Sequence, residues 1–96
     1  MEFEWDEAKA AVNLAKHGIS FEEAKTALEG QVVQRPDTRR DYGESRTITI
    51  GIIKGVSIVV VVHTDRQGKI RIISARRANR DERQVFETAF FSPSDD

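Results

Sequence analysis

The stretch Lys69-Ile70-Arg71-Ile72-Ile73-Ser74-Ala75-Arg76-Arg77 decides how this chain is read. It reads as a strand whose end is crowded with guanidinium groups, and it feeds directly into a helix start at Asn79. From Arg66 to Arg83 seven cations (Arg66, Lys69, Arg71, Arg76, Arg77, Arg80 and Arg83) stand against two acids, Asp81 and Glu82. Concentrating like charges adds little to the stability of a domain, whereas a surface that grips phosphates requires it. Strand alternation divides these groups: Arg71 and Arg77 fall on one face, Arg76 on the other with Ile70, Ile72 and Ser74. One face must cover the core. The arginines therefore meet on one phosphate only if the strand end twists or a bulge intervenes.

Working back from this strand, Asp65-Arg66-Gln67-Gly68 reads as a turn and Val56 to Thr64 as a strand apolar on both faces through Val59–Val62. Lys54-Gly55 is a hairpin turn. Before it, Arg46-Thr47-Ile48-Thr49-Ile50-Gly51-Ile52 alternates cleanly. The polar segment Arg35 to Gly43 contains Pro36 and reads as a loop. A short strand is expected around Val32-Val33.

The N-terminal part starts with an alternating strand, Phe3-Glu4-Trp5. Asp6 caps a helix from Glu7. Ala8, Ala11, Val12 and Ala15 fall at helical spacing and predict its inward stripe, with Lys9, Asn13, Lys16 and His17 on another side. Gly18 suits the left-handed residue that ends it. Ser20 and Glu23 form a capping box for a second helix reaching about Glu29, with Phe21, Ala24, Ala27 and Leu28 inward. Asn79 and Glu82 repeat that arrangement at the last helix, where Val85, Phe86, Ala89 and Phe90 form the apolar stripe.

The order is β-α-α-β-β-β-β-α. The expected class is α+β: a small antiparallel sheet, a three- to four-strand meander plus the short N-terminal strand. Two helices lie on one sheet face, and a terminal helix lies at an edge or on the other face. Ninety-six residues allow one domain, expected over 1–91, with 92–96 as a frayed tail. The absence of cysteine excludes a disulfide framework and thiolate metal sites. Met1-Glu2-Phe3-Glu4 lacks a signal-peptide pattern, and Ile58–Val62 is too short to span a membrane, so a cytoplasmic protein with no membrane partner is expected.

The net charge of −1 hides an asymmetry. Residues 1–44 carry six cations and ten acids, 45–91 nine cations and four acids, and Asp95 and Asp96 follow. This suggests one face for an anion and another for something else.

The residues resemble a known family. Phe3-Glu4-Trp5-Asp6, the run Asn13 to Ala24 through Lys16-His17-Gly18-Ile19, Ile50-Gly51, and Arg71 to Ala78 followed by Glu82 are together similar to the BrnT toxins, over Phe3 to about Glu87. The resemblance implies a RelE-like ribonuclease fold, RNA cleavage and inhibition of translation. It also implies a BrnA-like ribbon-helix-helix antitoxin, through which operator DNA is bound.

Metal-free RNA cleavage must deprotonate a 2′-hydroxyl, stabilise a phosphorane and protonate the leaving oxygen. Arginine suits the second task and histidine the others. The candidate catalytic residues are His17, Arg76, Arg77 and Arg66. The candidate RNA-binding residues are Lys16, Arg46, Lys69, Arg71 and Arg80. Arg39 and Arg40 suit RNA or an antitoxin equally. His17 fits a catalytic role and a helix-capping one alike. His63 reads first as a packed histidine, and His63 with Asp65 lacks a third ligand, so no metal or cofactor is expected. Glu82 reads first as the capping acid, with an arginine-orienting role as the other option. Phe91 is the one terminal aromatic assigned to partner contact. A non-catalytic binding module and a ribosome-dependent mRNA interferase are the competing functions.

Overall fold

The computed structural model describes residues 1–91; the expected frayed tail lies outside the described residues. The elements are β1 (Glu2–Glu4), α1 (Glu7–His17), α2 (Phe21–Glu29), β2 (Val33–Pro36), β3 (Thr47–Ile53), β4 (Ser57–Arg66), β5 (Lys69–Arg77) and α3 (Arg80–Phe90). They build one five-stranded sheet in the order β1-β5-β4-β3-β2. The meander β2 to β5 is antiparallel, as expected. The sheet as a whole is mixed, because β1 joins the β5 edge in parallel through Glu2–Glu4.

Local chemistry sets the helix ends. Asp6 accepts from the amides of Ala8 and Lys9 at 2.9 and 3.1 Å, and Gly18 takes φ +72° where α1 stops. The capping boxes Ser20/Glu23 and Asn79/Glu82 are both closed. The hairpins turn at Lys54-Gly55 and Gln67-Gly68, all four residues with positive φ. The second turn is thus shorter than expected, and β4 continues to Arg66.

The helices lie on opposite faces. Under α1 and α2 sit Ile19, Phe21, Ala24, Ala27, Ile53, Val59, Val61, Ile72 and Ala75. Gly51 lets α2 approach, since a Cβ there would stand 3.0 Å from the Ala27 carbonyl oxygen. On the other face α3 seals Ile48, Ile50, Ile58, Val60, Val62 and Ala78 with the buried ring of Phe86. Val85 and Ala89, expected inward, are exposed, so α3 covers this face with a narrow stripe and leaves sheet open beside it. Phe91 is exposed and meets Phe86 edge-on at 5.7 Å.

The stripe expected inward on α1 points out. Ala8, Ala11, Val12 and Ala15 are all exposed, and the one buried residue of the helix is Asn13. The reason is the edge of β5. Beyond Arg71 no strand of β1 continues along it. There Asn13 Nδ2 donates to the Ala75 carbonyl at 2.8 Å, and the Ala75 amide donates to Asn13 Oδ1 at 3.1 Å. Asn13 Nδ2 also donates to the Ile19 carbonyl at 3.1 Å. A buried primary amide with these partners outweighs an alanine-rich stripe, whose burial contributes little per residue.

The strand alternation read from sequence is also corrected. The β4–β5 register slips between Val62 and His63, with Val62 opposite Ser74 and His63 opposite Ile72. Ile73 is the extra residue of this bulge. Ile72 consequently packs under α1 and α2, while Ser74 and Arg76 line a cavity on the α3 face.

Replacing Asn13 with alanine strands two backbone groups of fully buried Ala75 and is expected to cost about 3 kcal/mol in urea unfolding. A loss below about 1 kcal/mol would contradict this account of α1. Gly51→Ala forces α2 off the sheet and is expected to cost about 1–3 kcal/mol in the same measurement.

Candidate functional site

Two neighbouring rows of residues cross the α3 face. Arg35, Ile48, Val62 and Ser74 are in register from β2 to β5, as are Val33, Ile50, Val60 and Arg76. A cavity of about 90 Å³ opens between them, lined by Arg35, Arg39, Ile48, Val60, Val62, Ser74 and Arg76. Its floor is aliphatic, and its rim carries three guanidinium groups and a hydroxyl.

Two of the guanidinium groups are held by carboxylates. Arg76 Nη1 and Nη2 donate to the two oxygens of Glu82 at 2.8 Å each. Glu82 therefore closes the helix cap and orients the arginine as well, although the capping role was the first reading. Its carboxyl is held below the ordinary range, chiefly by the Arg76 hydrogen bonds. Arg39 makes the same two-pronged contact with Asp37, at 2.8 Å on both oxygens. Asp37 is buried, and the Arg39 fork, an Arg39 amide and the Tyr42 hydroxyl hold it charged, well below the usual carboxylate range.

Tyr42 in turn lies under Arg46, 4.0 Å from guanidinium to ring centre. Glu44 binds Arg46 at 3.2 Å and Arg66 at 3.1 Å. This network fixes the polar loop that carries Arg39.

The remaining candidates separate into groups. His17 is half-buried at the end of α1, and with Lys16 it lines a groove of about 380 Å³ whose far wall is Ile73 and Ser74. Ser74 is thus common to this groove and the arginine cavity. Arg77 lies opposite Val59 on the α2 side, where its charge acts on Glu23, so the structure does not bring it to Arg76. Arg71 and Lys69 are engaged by Glu4 and Glu2 at 2.9 and 3.7 Å. At ~3.3 Å per residue Arg71 stands roughly 15 Å along the strand from Arg76. Arg66 is further away in the hairpin.

Arg80 is exposed on α3, and Arg83 donates back to the Ala78 carbonyl at 3.3 Å. His63 is buried and pairs through Nε2 with Thr49 Oγ1 at 2.6 Å; burial lowers its pKa. Gln34 donates to the same hydroxyl at 3.0 Å, so a neutral ring that accepts at Nε2 completes the chain. Among the described residues no three His, Cys, Asp or Glu side chains are grouped to hold a metal, and no helix is long and apolar enough to cross a membrane.

Sequence reasoning missed Arg35 as a site residue and left Arg39 open. Both fell in what reads as a loop. A pairing of Arg35 with Ile48 across the sheet was the available signal, and it needs β2 to extend to Pro36.

This α+β sheet, half covered by α3, carries a cavity rimmed by guanidinium groups, the donor type whose geometry matches phosphate and carboxylate oxygens. A family model described as the ribonuclease toxin BrnT of a type II toxin–antitoxin system matches residues 5–82. The crystal structure of the Brucella abortus ribonuclease toxin BrnT is similar at 30% identity and a TM-score of 0.63, covering 83% of this chain and 99% of that one. No curated protein sequence matches the chain. The chain belongs to the BrnT family of ribonuclease toxins of type II toxin–antitoxin systems. Membership implies an antitoxin partner.

The two depressed carboxyls make the site acid-sensitive. Stability from Asp37 and Glu82 is fully present above the ordinary carboxylate value, about pH 4, and is lost as pH falls through their lower folded-state values. Melting temperature is expected to fall as pH drops from about 5 towards 2. Glu82→Gln melts lower at neutral pH but loses less on acidification. An unchanged acid profile in this variant would contradict the coupling of Glu82 to Arg76.

Proposed function

We propose that this protein is the toxin of its pair, an endoribonuclease that cleaves RNA without a metal and thereby inhibits translation in the cytoplasm. The observation that carries the reading is the arginine cavity, with Arg76 braced by Glu82 and Arg35 and Arg39 beside it. A phosphodiester lying on the aliphatic floor has guanidinium groups around its non-bridging oxygens. As the neighbouring 2′-oxygen attacks phosphorus, the P–O5′ bond breaks, leaving a 2′,3′-cyclic phosphate and a 5′-hydroxyl. The charge that builds on the phosphorane falls on Arg76, Arg39 and Arg35. His17, across Ser74 from the cavity, is the group assigned to proton transfer, and Lys16 beside it assists RNA binding. The two carboxylates at the cavity are already engaged by arginines, which favours a cationic rather than a metal-bridged mechanism.

Arg66, Arg46, Lys69 and Arg71 extend the basic surface at the far end of β5 in this reading, and Arg77 and Arg80 act at the helix junction. The partner is a BrnA-like ribbon-helix-helix antitoxin that neutralises the toxin by covering the basic face and links it to operator DNA. Phe91 is a contact for it.

Purified toxin without antitoxin is expected to cleave single-stranded RNA in the presence of a chelator. Arg76→Ala is expected to lower the rate about 100-fold, as loss of one transition-state donor does, and His17→Ala by a similar factor. Full activity in an Arg39→Ala/Arg76→Ala double variant would remove the cavity from the mechanism. Cleavage that appears only when ribosomes are added would instead identify a ribosome-dependent interferase.

A further inference from the structure

The arginine cavity does not end at Arg35. It continues into a groove of about 300 Å³ between the open sheet and α3, lined by Val33, Arg35, Ile48, Ile50, Asn79, Asp81, Glu82 and Val85. Arg35 and Ile48 belong to both. The groove owes its existence to the narrow footprint of α3, which leaves Val85 48% exposed above Val33 and Ile50. Its size is at the small end of ligand pockets.

Its floor and wall are aliphatic, suited to the flat face of a heterocycle. Of its polar groups Glu82 and Asn79 are committed to one another, Glu82 also to Arg76, while Arg35, at the junction with the arginine cavity, is left to the phosphate side. The Glu82 carboxylate is taken by Arg76 and the Asn79 amide, and Asn79 Oδ1 accepts from the Glu82 amide. Asp81 is the lining carboxylate whose oxygens carry no hydrogen bond or ion pair among the described residues.

We infer that this groove is a nucleobase subsite, and that Asp81 selects guanine in it. The occupant is a base of the RNA strand whose phosphate lies in the adjoining arginine cavity; this rests on the ribonuclease reading above. The choice of base follows from hydrogen-bond inventory. A free carboxylate presents two acceptors and no donor. Guanine alone among the four bases offers two adjacent donors, N1–H and N2–H, on its Watson–Crick edge. Adenine and cytosine each pair one amino donor with a ring-nitrogen acceptor that the carboxylate repels. Uracil has a single N–H between two carbonyls. Single-stranded RNA exposes these edges, and apolar walls hold the base faces.

The test measures binding separately from cleavage. The purified chain is titrated with the ribonucleoside 3′- and 5′-monophosphates of all four bases, followed by calorimetry or amide chemical shifts. Guanosine monophosphate is expected to bind on the order of tenfold more tightly than the other three, as one two-pronged base contact provides. Shifts are expected at Val33, Ile50 and Val85. Asp81→Asn, a change on an exposed side chain, is expected to erase that preference while leaving the circular dichroism spectrum unchanged.

Equal affinity for all four, or a guanine preference that survives Asp81→Asn, overturns the inference. RNA cleavage with no guanine preference in binding rejects this subsite and leaves the ribonuclease reading standing. A guanine preference lost in Asp81→Asn, in a protein that cleaves no RNA, supports the subsite and rejects the ribonuclease reading.

Discussion

One side-chain amide sets the geometry on which the rest depends. β5 is flanked by β1 for three residues only, so its outer edge lies bare where Ala75 presents an amide and a carbonyl. Such groups, buried without partners, cost about as much as the hydrogen bonds they forgo. The Asn13 side chain presents a donor and an acceptor to Ala75 at the spacing of a peptide unit and takes the place of the missing strand. For that to happen α1 must lie across the edge with Asn13 inward. Its alanines are then turned out, and its last turn, with Lys16 and His17, comes to the flank of Ser74. The same contact closes the sheet and brings an imidazole to the groove that shares Ser74 with the arginine cavity.

The bulge at Ile73 does the complementary work inside the strand. It lets Ile72 and Ala75 serve one core while Ser74 and Arg76 serve the other face. The charge asymmetry along the chain is resolved by pairing. Glu2, Glu4 and Glu44 come from the acidic half and engage Lys69, Arg71, Arg66 and Arg46 from the basic half. Much of the apparent excess of cations around β5 is thus compensated by strand and loop neighbours. Arg35 has no ion pair among the described residues, and Arg39 and Arg76 keep exposed guanidinium groups beside it.

What could be read from sequence was local. Asp6, Ser20 with Glu23, and Asn79 with Glu82 act within one helical turn, and Gly18 within one residue; their chemistry is complete in the sequence itself. The meander followed from alternation and short turns for the same reason. What could not be read was non-local. The parallel pairing of β1 links residues far apart along the chain, and helical periodicity ranks α1 faces by apolarity although a polar contact with Ala75 orients the helix. A bulge leaves no signature in the sequence of β5, so the two faces of its arginines were assigned without it. Arg76 was legible because it ends a strand at a helix start. Arg35 was not, since its neighbours in the site arrive through three successive strand registers.

In the proposed reaction the braced arginines would discriminate between a bound phosphate and a reacting one. A guanidinium has five N–H donors. Glu82 uses one on each terminal nitrogen of Arg76, and the Arg77 carbonyl takes another at 3.2 Å, which leaves Nε–H and one Nη2–H. Arg39 gives Nε–H and one Nη2–H to Asp37 and keeps the Nη1 pair and the other Nη2–H. Each arginine is therefore oriented before any substrate arrives and still has donors to offer. Its carboxylate also cancels part of its charge, so three guanidinium groups against two carboxylates leave one net positive charge at the cavity. That is a modest attraction for a singly charged phosphodiester. A phosphorane carrying a second charge draws more from the same fixed donors, and the difference between the two states is what accelerates a reaction. In that proposed reaction Glu82 and Asp37 trade ground-state affinity for orientation. An unbraced arginine cluster would hold RNA more tightly and respond less to the change in charge at phosphorus.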